Sequence, residues 1–182
     1  MNKALVYGIA SACAVALVLL ATLKVPILRS DARRLYYAVR SQHPLRVGDV
    51  LPPIRLSDMR GLPVTLTARR NHVLLVNVFA TWCVPCQSEM PALAALDRHI
   101  PKGVEILGID QGEPASRVSG FTRAMNIRYP ILLDSSLATS ALGATLIPTT
   151  IVIGSDGRVT NIVKGPLDLE GFRALIAQGR RP

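Results

Sequence analysis

The stretch from Val73 to Cys86 reads Val-Leu-Leu-Val-Asn-Val-Phe-Ala-Thr-Trp-Cys-Val-Pro-Cys, and it decides the fold. Its first half, Val73 to Phe79, is an almost continuous apolar run, which is typical of a strand covered on both faces. Its second half ends in Cys83 and Cys86, and a helical spacing of apolar residues then runs to Ile100. The stretch therefore predicts a buried strand followed by a helix that begins at two thiols.

Strands and helices alternate around this stretch. Turn signals and apolar periodicity predict a last helix with Asp168 as its N-cap and a hairpin at Ser155-Asp156-Gly157. This alternation predicts an α/β domain in which a central mixed β-sheet is flanked by helices. Strands are predicted at 54–57, 64–67, 73–79, 104–110, 130–133, 149–153 and 158–163, and helices at 86–100, 114–126, 136–142 and 169–177.

The positive charge is concentrated in the first quarter of the chain. The 182 residues carry a formal net charge of +9, and 49% of them are hydrophobic. Residues 1–46 contain seven Lys or Arg residues and one Asp, which leaves a net charge of +3 for residues 47–182. The composition excludes an intrinsically disordered chain. The nearly balanced charge of residues 47–182 argues against a nucleic-acid partner.

The N-terminal segment has the character of a membrane anchor. Ala4 to Leu23 contain no charged residue, and as a helix at ~1.5 Å per residue they would span ~30 Å, the thickness of the hydrocarbon core. Lys24, Val25 and Pro26 then make a poor cleavage site. We therefore expect an uncleaved transmembrane signal anchor at 1–24. A basic juxtamembrane linker at 25–45, able to contact membrane lipid, and a domain at 46–182 are expected to follow.

The charges beside the anchor leave its orientation open. Lys3 and the terminal amine precede it, and Lys24, Arg29, Arg33 and Arg34 follow it. Counted literally, the positive-inside rule would keep the domain in the cytoplasm. A short N-terminal tail followed directly by an apolar segment is, in contrast, typical of an export signal.

The two cysteines lie where the predicted helix begins. The free N–H groups and partial positive charge of a helix N-terminus stabilise a thiolate, which is the attacking species in disulfide exchange. We therefore expect Cys83 to be the nucleophile and Cys86, one turn further on, to resolve the mixed disulfide. Glu89 follows Cys86 by three residues on the same helix and is close enough to accept a proton.

Two cysteines at this spacing have two other uses. A zinc site needs two further ligands, but Cys13 lies in the predicted anchor and the histidines are scattered, at positions 43, 72 and 99. A purely structural disulfide is the second alternative, although so small a loop stabilises a fold little. The position between a strand and a helix favours redox chemistry.

Two motifs resemble one known family. Phe79-Ala80-Thr81-Trp82-Cys83-Val84-Pro85-Cys86, followed by Glu89-Met90-Pro91, resembles the TlpA/ResA-like branch of the thioredoxin superfamily. Ile147-Pro148-Thr149-Thr150 is similar to the proline loop of that branch, and the resemblance covers roughly residues 46–178. It implies a thioredoxin-like domain at 46–182 and a thiol-disulfide oxidoreductase. It also implies a redox-active Cys83–Cys86 disulfide and no other cofactor.

The resemblance also implies roles for further residues. Pro148 matches the family's cis-proline, where the backbone of Ile147 would pair with a client strand. Glu89 matches a partly buried acid that modulates the pKa values of the cysteines. The residues expected to contact the client are Trp82, Val84, Pro85 and Ile147.

Asn77 departs from the pattern of thioredoxins proper. Those proteins have a buried aspartate six residues before the first cysteine, whereas this chain has an amide that cannot accept a proton. If resolution by Cys86 needs a base, Glu89 or water must serve, which favours the specialised branch.

The resemblance gives an expected function. The protein would be a single-pass protein of the inner (cytoplasmic) membrane, with its domain in the periplasm, that reduces disulfides of client proteins. Its clients would be proteins that mature by haem or copper insertion, such as apocytochrome c. A transmembrane thiol carrier would supply the electrons. The direction of electron flow is inferred from the family alone.

Two alternatives use the same fold or the same cysteines. A copper-binding module or chaperone would employ Cys83 and Cys86 as soft ligands, but such modules usually add a histidine and residues 100–182 contain none. A peroxiredoxin would need a proline-led loop before its cysteine. Here Thr81 lies only two residues before Cys83, and the proline of that loop is missing.

Overall fold

The computed structural model describes residues 44–134 and 138–180. The anchor predicted at 1–24 and nearly all of the linker predicted at 25–45 lie outside these residues. Leu45, at the end of that linker, is buried and donates its backbone N–H to the carbonyl of Ala141 at 3.1 Å. Within the described ranges, no helix combines the length and the apolar character needed to cross a membrane.

Strands and helices alternate along the described residues as the sequence predicts. The order contains two consecutive βαβ units, followed by a hairpin and a last helix. The elements are β1 Ile54–Ser57, β2 Pro63–Leu66, β3 Val73–Phe79, α1 Val84–Arg98, β4 Val104–Asp110, α2 Ala115–Ala124, β5 Ile131–Leu133, α3 Ala138–Ala141, β6 Thr149–Ile153, β7 Val159–Lys164 and α4 Leu169–Gly179.

The strands of the described residues form one mixed sheet in the order β2-β1-β5-β4-β3-β6-β7. β3 runs parallel to β4, and β4 runs parallel to β5, whereas β6 lies antiparallel to β3. The register places Phe79 beside Asp110, so β3 and β4 end at the same edge of the sheet. The loops that follow these two strands therefore meet at that edge.

The apolar run of β3 serves both faces of the sheet. Leu75 and Phe79 belong to the apolar cluster on one face, and Val76 and Val78 belong to the cluster on the other face. Successive side chains of a strand point to opposite faces, so a strand covered on both sides needs apolar residues at almost every position. Asn77 is the polar exception within β3, and it is fully buried.

The two faces have different covers. α1 and α4 pack on the first face, where Met90, Leu93 and Phe172 are fully buried. The second face is covered by Leu45 and Leu51 of the chain before β1, together with Leu142 just after the short helix α3. The central mixed sheet between two covering layers agrees with the predicted α/β architecture.

α1 begins and ends two residues earlier than its periodicity predicts. Cys83 is its N-cap, because the Cys83 Sγ atom accepts the backbone N–H of Cys86, so the helix begins at Val84. The helix ends at Arg98, because Ile100 precedes Pro101 and a residue before proline is disfavoured in the helical conformation. Both cysteines therefore lie at the start of the helix, Cys83 as its N-cap and Cys86 in its first turn.

α2 is shorter than the predicted range 114–126. Pro114 lies outside the helix as its N-cap, with extended backbone angles. Asn126 has a φ of 54°, a left-handed conformation that ends the helix before it. At the predicted hairpin between β6 and β7, Gly157 has a φ of 84°, a value that favours glycine.

Leu93→Ala is expected to destabilise the fold strongly. The Leu93 side chain is fully buried between α1 and the sheet, so truncation removes apolar contacts and leaves a cavity. We expect the free energy of unfolding to fall by about 2–5 kcal/mol. The measurement is urea unfolding of the detergent-solubilised full chain, followed by circular dichroism. Leu62→Ala is the control, because Leu62 is 52% exposed and should change stability by less than about 0.5 kcal/mol.

Candidate active site

The end of β3 and the start of α1 place the two cysteines side by side. Cys83 and Cys86 are joined by a disulfide, with their Cα atoms 5.2 Å apart. The Cys83 Sγ atom accepts the backbone N–H of Cys86 at 3.2 Å, and the Cys83 carbonyl accepts the N–H of Gln87 at 3.0 Å. After reduction, a thiolate at Cys83 would keep this donor and the positive end of the α1 dipole.

Both cysteine residues are buried, but to different degrees. Cys86 is completely buried, whereas Cys83 retains 5% of its surface. Of the two, Cys83 is therefore the cysteine that a sulfur atom of another protein can approach. This asymmetry agrees with the order of events expected from the sequence, in which Cys83 attacks and Cys86 resolves.

Glu89 lies on the buried side of α1, one turn after Cys86. One carboxylate oxygen accepts the Asn77 side-chain amide at 2.7 Å, and the other accepts the backbone N–H of Leu167 at 3.2 Å. Burial raises the pKa of Glu89 to about 7, and the two hydrogen bonds offset only part of the lost solvation. Glu89 is therefore balanced between its two protonation states near neutral pH, as a proton-transfer group requires.

Asn77 has a contact that the sequence does not reveal. The sequence indicates only that this amide cannot replace a basic aspartate. In the structure its Nδ2 atom donates to Glu89 and lies 3.5 Å from the Thr150 hydroxyl. β3 is antiparallel to β6, and their register places Asn77 opposite Thr150. The amide therefore ties the acid on α1 to the sheet.

The proline loop lies at the same edge of the sheet as the cysteines. The Ile147–Pro148 peptide bond is cis, and Thr149, the first residue of β6, pairs with Val78 of β3. The Pro148 carbonyl accepts the N–H of Gly165 at 2.9 Å. Ile147 packs against the apolar cluster that contains Cys83 and Cys86.

Exposed apolar side chains surround the cysteines. Trp82 is 62% exposed, and Val84 and Pro85, in the first turn of α1, are exposed as well. Leu146, just before the cis peptide, is 64% exposed and is absent from the residues predicted to contact a client. We name these four residues the apolar rim. Leu146 was not predicted because the sequence motif of the proline loop begins one residue later, at Ile147.

The described residues contain no ready-made metal centre. No three His, Cys, Asp or Glu side chains of residues 44–134 and 138–180 are placed to hold one ion together. A soft metal at this site would have to use Cys83 and Cys86 after their disulfide is reduced.

Comparison with known proteins identifies the family. A family model described as Redoxin matches residues 46–176. The thiol-disulfide oxidoreductase ResA of Geobacillus thermodenitrificans is 35% identical over 129 residues, which cover 70% of this chain and 74% of the relative. This protein is a ResA-like thiol-disulfide oxidoreductase of the redoxin family. ResA of Geobacillus kaustophilus is 33% identical over 126 residues, 68% of this chain and 72% of its own.

The fold of this redoxin is shared with a solved structure. A thiol:disulfide interchange protein of the thioredoxin family from Chlorobium tepidum superposes with a TM-score of 0.64 and 25% identity, over 75% of this chain and 99% of its own. The fold of residues 46–176 is therefore thioredoxin-like, as the two sequence motifs predict.

This redoxin also contains an acid pair, Asp110 and Glu113, that was not predicted from the sequence. Glu113, in the loop after β4, accepts both the backbone N–H and the hydroxyl of Thr81, the latter at 2.7 Å. The Glu113 backbone N–H donates to Asp110 at 2.8 Å. A signal was available, because loops that follow neighbouring parallel strands meet at one edge of a sheet.

The two acids of this pair have opposite pKa shifts. Burial, followed by the proximity of Glu113, raises the pKa of Asp110 to about 7. Burial acts to raise the pKa of Glu113, but the hydrogen bonds from Thr81, the contact with Asp110 and the charge of Arg117 together lower it below its usual value. Near neutral pH, Glu113 is therefore charged, whereas Asp110 is balanced between its two protonation states.

Proposed function

We propose that this protein is a membrane-anchored reductase for disulfides of client proteins in the periplasm. The observation that carries the proposal is the pairing of Cys83, which is 5% exposed and lies at a helix N-terminus, with the fully buried Cys86 one turn before Glu89. Glu89 is buried and hydrogen-bonded by Asn77, so a group able to take up a proton accompanies the resolving thiol.

The proposed reaction transfers two electrons from the dithiol to the client. The Cys83 thiolate attacks one sulfur of the client disulfide, the client S–S bond breaks and a mixed disulfide forms. The Cys86 thiol then gives its proton to Glu89 and attacks Cys83, which breaks the mixed disulfide. The client leaves with two thiols after uptake of protons, and the protein is left with the Cys83–Cys86 disulfide as its redox group, without another cofactor.

The client would be held beside the sulfurs by the backbone and by apolar contact. A client strand would pair with the backbone of Ile147, next to the cis bond of Pro148. The side chains that would pack on the client are those of the apolar rim, Trp82, Val84, Pro85 and Leu146. Their exposure supports the assignment, because solvated apolar side chains around a reactive centre favour docking of a protein surface.

The proposed location follows from the uncharged stretch Ala4 to Leu23. Residues 1–24 would anchor the chain in the inner membrane, the part of the linker at 25–45 that precedes the buried Leu45 would contact lipid, and residues 46–182 would act outside the cytoplasm. In an oxidising compartment, thiols needed for haem or copper insertion must be kept reduced by a dedicated protein. Such clients fit the proposal, and a transmembrane thiol carrier would return the electrons.

Trapping of clients tests the function. The full-length Cys86→Ser variant, expressed in cells, should accumulate mixed disulfides on Cys83 that mass spectrometry can name. Cys83→Ser is the matched variant, and equal trapping by it would overturn the assignment of the nucleophile. Protection of the domain from protease added to intact spheroplasts would overturn the proposed topology. Tight copper binding by the reduced chain without reductase activity would favour the copper-binding alternative.

A further inference from the structure

Three polar groups of Thr81 are held by side chains from two different elements. Its N–H and its hydroxyl both donate to Glu113, which follows β4, and its carbonyl accepts the side-chain amide of Gln87 on α1 at 2.8 Å. Thr81 has no regular secondary structure of its own. Its position is therefore set by Glu113 and Gln87 rather than by a backbone ladder.

The Glu113 carboxylate is suited to this task because it is almost enclosed. Its side chain is 7% exposed, and the Arg117 guanidinium lies 3.7 Å from one of its oxygens. Asp110, which is fully buried, accepts the Glu113 backbone N–H and so fixes the loop from which Glu113 projects. Hydrogen bonds to a charged, poorly solvated acceptor are stronger and more directional than exposed ones.

Thr81 lies directly upstream of the reacting sulfur. Trp82 and Cys83 follow it in the chain, and the Cys83 N–H donates to the carbonyl of Ala80 at 3.2 Å. A shift of Thr81 would therefore move Cys83 relative to the N-terminus of α1. The stabilisation of a thiolate by that N-terminus depends on close approach, because its influence is confined to the first turn.

We infer that Glu113 is a positioning residue for the nucleophile: its carboxylate holds Thr81 so that Cys83 and Trp82 are presented to the client. This assignment adds a second acid to the site, distinct in place and task from Glu89. Glu113 acts through Thr81 and does not touch the sulfur. The inference concerns the disulfide exchange itself and does not depend on the compartment or the client.

The test compares truncating and conservative variants at both ends of the contact. Glu113→Ala and Thr81→Val should each lower kcat/KM for insulin-disulfide reduction about tenfold, since modest misplacement of a reacting group costs one to two orders of magnitude. Glu113→Gln can accept the N–H and donate to the hydroxyl, and Thr81→Ser keeps the hydroxyl. Both should stay within about threefold of the wild type.

A second readout separates positioning from general stability. In the reduced, detergent-solubilised full chain with Cys86→Ser, the rate at which iodoacetamide alkylates Cys83 should fall in Glu113→Ala and recover in Glu113→Gln. Glu105→Ala is the matched control, because Glu105 lies on β4 away from the cysteines and contacts Arg69 at the surface. It should leave both rates unchanged.

Several results would overturn the inference. Activity of Glu113→Ala within twofold of the wild type would do so, and so would a loss in Glu113→Gln equal to that in Glu113→Ala. A double variant whose loss equals the full product of the two single losses would show that Glu113 and Thr81 act independently. If Glu113→Ala does not fold, the Thr81 pair decides: equal activities of Thr81→Val and Thr81→Ser would contradict the inference.

Discussion

Cys83→Ser is expected to reduce the rate of insulin-disulfide reduction to its uncatalysed background, a loss of about 10³-fold or more. A serine hydroxyl stays protonated at neutral pH, so the N–H of Cys86 and the dipole of α1 no longer face an anion. Insulin precipitation by the detergent-solubilised full chain, with dithiothreitol as the electron source, measures the loss.

Two further serine variants serve as comparisons for Cys83→Ser. Cys86→Ser should still form a mixed disulfide on Cys83, because the first attack needs only the accessible sulfur. Cys13→Ser should match the wild type, because that cysteine belongs to the predicted anchor. Turnover by Cys83→Ser above one tenth of the wild-type rate would contradict the assignment of Cys83.

Glu89→Gln is expected to remove a pH dependence as well as activity. The wild-type rate should rise as the pH rises through about 7, because the carboxylate form of Glu89 must receive the Cys86 proton. The amide cannot receive it, so above pH 7 the turnover should fall about 10²-fold and the rise near pH 7 should disappear. Stopped-flow reduction of a fluorescent peptide disulfide between pH 5 and 9 measures both effects.

Asp110 makes a companion variant necessary, because its pKa is also raised to about 7. Asp110→Asn should retain the rise in rate. A rise that survives in Glu89→Gln and disappears in Asp110→Asn would instead assign acceptance of the Cys86 proton to Asp110. Glu170→Gln is the exposed control, since Glu170 contacts Arg173 at the surface.

The pH dependence of stability gives an independent check on Glu89. The raised pKa of Glu89 means that the folded state favours the protonated acid. The contribution of Glu89 to the free energy of unfolding is therefore fully present below pH 4.5 and is lost as the pH rises through about 7.

The fold could be predicted from the sequence because its central strand has an unusual pattern of apolar residues. The continuous apolar run of β3 can be buried only under two covering layers, and the cysteine pair marks where the following helix begins. The exact start of α1 could not be predicted from the sequence. It depends on the Cys83 sulfur accepting an N–H, a role that residue patterns assign to Ser, Thr, Asp or Asn.

Residue spacing alone predicted the candidate site only along one helix, and the resemblance to the family added the loop with the cis Pro148. Cys83, Cys86 and Glu89 are related by helical spacing, which can be counted in the sequence. The residues that hold Glu89 and Thr81 come from distant positions, Asn77 on β3 and Glu113 after β4. These contacts depend on the register of β3 against β4 and β6 and on the course of a loop, neither of which leaves a local pattern.

The central claim is that Cys83 attacks and the Cys83–Cys86 dithiol supplies the electrons. A single turnover of the reduced full chain with excess insulin, quenched in acid at successive times and mapped by mass spectrometry, tests it most directly. We expect that insulin is first joined to Cys83, and that a Cys83–Cys86 bond then appears in equal amount with reduced insulin. A first bond on Cys86, or reduced insulin while both cysteines remain thiols, would contradict it.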